Sequence, residues 1–312
     1  MTEKDMSLIH YLGYDGIYAE LKRNIAPIIN LIARNSITAK DILCTYDSYK
    51  QYEVESLEKL IATARQLYEN RNIKLHSVYV MTDFDTFMEF VSSNNYYHDD
   101  PLLISEIDKR TRLVSPFDIP IILENGIHLA GDCQKALLPN EPSRTIRFRN
   151  ISINNHFSLA STLMYAHEIA HTQTESIPGY TKNLVNREVV SVFLEKAFAL
   201  DLDPSGELLR LIEKGRFLTD IIESRNLFNS RLISNTSFKR YQDALNASHF
   251  LGTLLGTALF DKYQHESAEN QANYFEDVQD IFNGEMMVED FLRKRRISMN
   301  EATNASIISR HL

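Results

Sequence analysis

His167 and His171 stand four residues apart, with Glu168 directly after the first, in the stretch LMYAHEIAHTQ at residues 163–173. On a helix, positions i and i+4 lie one turn apart on one face, so imidazoles at this spacing can present nitrogens to a single ion. Glu168 falls about 100° round the helix from His167, which sets its carboxylate beside such an ion and not on it. Hydrolysis at zinc needs two neutral nitrogen ligands, a third protein ligand, an open position for a water acidified by the metal, and a nearby carboxylate to take the proton. Chance places HExxH in about two chains in a hundred of this composition. The flanks argue further against chance, because SLASTLMYAHEIAHTQ is apolar enough for a buried helix. Histidines without partners are costly there.

The third ligand is sought on the next helix. Glu175, Glu188 and Glu195 are within reach; Glu175 lies near SIPGY, where the zinc helix is expected to end. Glu188 and Glu195 share one face of NLVNREVVSVFLEKAFAL, separated by apolar side chains, and two carboxylates buried on one face call for a cation. Glu188 is nearer the turn between the two helices.

The elements that must position these groups are mostly helical. IYAELKRNIAPIINLIARN, divided by Pro27, and SLEKLIATARQLYENRN carry the helical period, and short helices are expected at 38–49 and 83–94. FDIPIILENGIHLAG and RTIRFRNISI then alternate Ile with polar residues, which predicts a small sheet over about 115–153. Helical segments come next at 158–174, 181–200, 205–225, 238–264 and 267–283. The basic LRKRR at 292–296 reads as a solvated helix end. This pattern divides the chain into a helical region over 1–112 and a catalytic region over 113–312, possible as one continuous domain.

Composition narrows the function classes. The 312 residues are 44% hydrophobic and 24% charged with a net charge of −9, an ordinary globular balance without the basic footprint that nucleic acid demands. Two cysteines supply neither a disulfide framework nor a thiolate cluster. The amino terminus has no signal-peptide pattern, and no segment approaches the roughly 18 apolar residues of a membrane span, so a cytoplasmic location is expected.

STLMYAHEIAHTQ followed by REVVSVFLE resembles the catalytic core of the oligoendopeptidase F and thimet oligopeptidase group, zinc peptidases of the gluzincin type. The resemblance covers roughly residues 143–265. It implies a mainly α fold with a small β-sheet, a zincin-like metallopeptidase catalytic domain, one Zn2+ per chain, and a peptide as substrate. It also implies His167, His171 and Glu188 as ligands, Glu168 as general base, and Ser191 and Glu195 as groups supporting the ligands. RTIRFRN sits where the family has the edge strand lining its cleft. RYQDALNASHFLGTLLGTALFDKY, through Gly252 and its FDKY end, resembles the family's late helix, so His249 and Tyr241 are the implied oxyanion donors. The 17 residues from His171 to Glu188 are fewer than the family's usual interval, and the chain is about half the family's usual length. A dedicated processing peptidase is a variant of this reading. A regulatory protein with structural zinc is the alternative from another class, against which Glu168 stands, since a structural site does not need it.

Overall fold

The computed structural model describes residues 44–45, 47–81, 105, 109–124, 132–136, 147–154, 156–174, 184–216, 241–298 and 302. Helix α1 (Leu57–Asn70) is amphipathic: Ser56 caps it by accepting from the Lys59 N–H, and Leu60, Ala64, Leu67 and Tyr68 form its buried stripe. The chain then turns into a five-stranded sheet of β1 (Val78–Met81), β2 (Thr111–Val114), β3 (Ile121–Glu124), β4 (Asp132–Ala136) and β5 (Arg147–Asn154). β1 pairs antiparallel with β2 and parallel with β5, β3 is parallel to β5, and β4 is antiparallel to it.

Two side-chain amides hold the approach to β1. Gln173 accepts from the His76 N–H at 2.6 Å and donates to its carbonyl at 3.1 Å; Gln279 does the same for Lys74 at 2.6 and 3.2 Å. Each amide takes the place of a neighbouring strand, so the backbone polar groups are satisfied before the sheet begins.

Three expectations need correction. The sheet begins at Val78, ahead of the expected 115–153. The reason is that a four-residue strand such as VYVM carries too little pattern to be told from its helical surroundings, while pairing with distant β5 decides its state. The described part of RTIRFRN is not an edge: Arg147 and Phe148 pair with Tyr79 and Val80 of β1 and also with Ala136 and Lys135 of β4. β5 is therefore an inner strand, and among the described residues β4 pairs with β5 alone. The basic LRKRR is only partly solvated. Arg295 lies over the Tyr274 ring at 3.9 Å and pairs with buried Asp277, and Leu292 is in the core.

Beyond the sheet come α2 (Leu159–Thr174), α3 (Leu184–Leu202), α4 over residues 207–216, α5 (Tyr241–Gln264), α6 (Ala268–Phe282) and α7 (Val288–Lys294). α2 is buried from Ser161 to Thr174 apart from half-buried Met164. A helix apolar on every side must be surrounded; α1, α3 and the sheet pack round it. The mainly helical fold with a small sheet is thus the architecture of the described residues. The expected helices at 83–94 and around Pro27 lie outside them. Among the described residues, no helix is long and apolar enough to cross a membrane.

Candidate metal centre

α2 brings His167 and His171 to one face, with their Nε2 atoms 3.0 Å apart. The Tyr68 hydroxyl, reaching from α1, donates to the Ala166 carbonyl at 2.5 Å and so anchors the turn that carries His167. Opposite stands Glu188 of α3. One of its oxygens is 3.4 Å from His167 Nε2 and the other is 3.4 Å from His171 Nε2. Glu188 lies in the second turn of α3, on the helix face turned to α2, and is buried.

These separations fit a metal. Ligands of a tetrahedral zinc at about 2.0–2.1 Å lie about 3.3–3.4 Å from one another, the edge of the tetrahedron. Glu168 is the other carboxylate at hand: one of its oxygens and a ring nitrogen of each histidine lie within 4.8 Å of one another. His167, Glu168 and His171 thus form a buried group able to hold a metal ion, and Glu188 meets both Nε2 atoms from α3, so the pair of imidazoles has a carboxylate from its own helix and one from the next.

Each histidine is also held from its other nitrogen. His167 Nδ1 lies 2.8 Å from a Glu195 oxygen, and His171 Nδ1 lies 3.3 Å from the Ser191 hydroxyl, which donates to the Arg187 carbonyl at 3.2 Å. A hydrogen on Nδ1 leaves the Nε2 lone pair for the metal. Glu188, Ser191 and Glu195 recur at three- and four-residue intervals, so a single face of α3 supplies all three. Arg216, at the end of described α4, grips Glu195 through Nε at 3.3 Å and through a terminal nitrogen that also lies 3.2 Å from His167 Nδ1. Nothing in the sequence spacing marks Arg216, because its partner is on another helix.

Charge in the cluster is predominantly acidic. Glu168, Glu188 and Glu195 are all buried, and Glu195 pairs with the Arg216 guanidinium. Buried carboxylates of this kind are stabilised by cations or protons close by. Without metal a proton fills part of this role. Burial alone would favour neutral His167, but Glu188 and Glu195 outweigh it and raise its pKa to about 9. Burial likewise opposes ionised Glu195, and Arg216 with His167 overcomes it, holding the carboxyl at about 2. Glu188 is held well below the usual carboxylate range against burial by His249, His171 and His167.

The sign of the His167 shift sets a pH dependence. Raised above its free value of 6.5, that proton stabilises the metal-free fold below about 6.5, and the contribution is lost as pH rises through about 9. Metal uptake has to displace the same proton. Zinc affinity should therefore climb about tenfold per pH unit between neutrality and about 9, then level off. Calorimetry in buffers of different ionisation enthalpy checks the released proton; an affinity indifferent to pH contradicts it.

His249 of α5 reaches the same cluster. Its Nε2 lies 3.4 Å from the Glu188 oxygen that faces His171, and its side chain is 38% exposed, so the buried cluster meets solvent on this side. Gly252, one turn further on, explains the close approach: a Cβ there would lie 2.2 Å from Glu188 Cβ and 2.8 Å from the Val185 carbonyl oxygen. Gly256 repeats the arrangement against Val189 and Val192. Gly252→Ala should accordingly destabilise the protein by about 3 kcal/mol, the upper end of the range for overpacking, and weaken zinc binding with it. Chemical denaturation with and without zinc measures both effects, and unchanged values would mean that α5 has room to shift.

Tyr241 opens α5 eight residues before His249, a rise of about 12 Å along the axis; its side chain, and Glu175, lie outside the described residues. Compared with protein-family models, with curated proteins and with solved structures, the chain matches none.

Proposed function

We propose that the chain is a zinc-dependent metallopeptidase with a zincin-like catalytic region, in which His167, His171 and Glu188 hold one Zn2+. The observation that carries this reading is the convergence of two Nε2 atoms and one carboxylate at 3.0–3.4 Å, with a further carboxylate alongside. Zinc bound there would supply Lewis acidity and bring a water's pKa near 7. Glu168 takes the proton from the attacking water and passes it to the leaving amine, a role for which its place beside the histidine pair is suited. His249, on the solvent side of the cluster, donates to the oxygen on which negative charge develops. Glu195 and Ser191 keep the two imidazoles turned with Nε2 inward.

A peptide is the substrate class, and its backbone carbonyl is the group these residues are arranged to attack. The test is to load the purified chain with zinc, measure the bound metal, and offer it a peptide library read by mass spectrometry. One zinc per chain with defined cleavage products supports the reading. One zinc per chain with no product supports a regulatory protein with structural zinc instead.

A further inference from the structure

We infer that Arg216 is a positioning residue of the metal centre, acting through Glu195 to set which nitrogen of His167 faces the ion; this rests on the metal site proposed above. Glu195 is buried and its two oxygens are shared among three donors. Nε of Arg216 is 3.3 Å from one oxygen; the other lies 2.8 Å from His167 Nδ1 and is also gripped by the terminal nitrogen of Arg216. The guanidinium and the imidazole thus meet on one carboxylate. A planar fork on a carboxylate fixes its plane as well as its charge, which a lysine cannot do.

The consequence lies in the proton on His167. An Nδ1–H donates to Glu195 and leaves the Nε2 lone pair inward, as ligation requires. Arg216 has donors only, and its terminal nitrogen stands 3.2 Å from the same Nδ1. Were Glu195 displaced or neutral, the guanidinium would hydrogen-bond the Nδ1 lone pair and the ring hydrogen would move to Nε2, where it blocks the metal. Arg216 therefore supports ligation only through Glu195, and opposes it when that carboxylate is lost. A purely structural strut has no such reversal.

The fold supplies an internal control. α4 is joined to α3 by two ion pairs from successive residues: Glu195 with Arg216, and Lys196 with Glu213 at 2.6 Å. In the second pair Lys196 is buried and Glu213 half-buried, and it ties the same two helices. Removing it as Lys196→Met with Glu213→Gln leaves no lone buried charge, so it tests docking of α4 apart from any effect on His167.

The experiment is zinc affinity, measured against a competing chelator, with folding followed by circular dichroism. Arg216→Met is expected to lose about 10–100-fold in affinity, the range typical of groups that orient a metal ligand, and Arg216→Lys to fall between it and the parent. Glu195→Gln is expected to weaken binding as well, and the double variant Glu195→Gln with Arg216→Met to bind no more weakly than Glu195→Gln alone. The Lys196→Met, Glu213→Gln control should stay within about threefold of the parent. Zinc losses that multiply in the double variant, a control as weak as Arg216→Met, or Arg216→Met binding like the parent would each overturn the inference. If Arg216→Met does not fold, Arg216→Lys carries the test, and parental affinity in it overturns the need for the fork. A parent chain that takes up no zinc overturns the metallopeptidase reading itself, a result distinct from all of these.

Discussion

Glu168→Gln is expected to cut peptide turnover by at least about a hundredfold, the contribution of a positioned proton transfer, while zinc content stays near that of the parent. The substitution keeps the size of the side chain and its capacity to accept a hydrogen bond, but removes the base. Glu168 is buried beside the histidine pair, and the proposed ligand set of His167, His171 and Glu188 does not include it, so the metal should stay bound. Steady-state kinetics and metal analysis on the same preparation give both numbers. Full activity in Glu168→Gln would remove the general base from the mechanism.

Glu188→Gln should fail in the opposite way. A neutral amide is a poorer ligand for a divalent cation than a carboxylate, and the buried cluster would also lose one of the negative charges that make it attract a dication. Zinc affinity should fall by more than about a hundredfold, beyond the range for groups that only orient a ligand. Activity would track occupancy and return, at least in part, when zinc is raised. Competition with a chelator measures the loss. An unchanged affinity would mean that Glu168 or another group is the third ligand.

How far the site is legible in the sequence depends on the range over which each contact acts. His167, Glu168 and His171 belong to one helix, where spacing alone sets the face, and the structure brings both Nε2 atoms together. Glu188 is one of three glutamates until the resemblance singles it out, and spacing within α3 places Ser191 and Glu195 only relative to it. His249 and Gly252 are singled out by the resemblance to the family's late helix. What the resemblance does not contain is the close approach, 2.2 Å from an added Cβ to Glu188 Cβ, that makes Gly252 the point where α5 comes down on Glu188. Arg216 leaves no local signal, because an ion pair between two helices depends on how they dock. The early strands are hidden for a related reason: β1 takes its state from β5, a partner far along the chain.

The measurement that bears most directly on the central claim is a titration of peptide-cleaving activity against zinc in protein stripped by a chelator. Activity should be absent in the stripped protein, rise in proportion to added zinc and stop rising at one zinc per chain, as expected of one catalytic site with three protein ligands. Cleavage that persists without metal, or no cleavage at full zinc occupancy, would contradict the account.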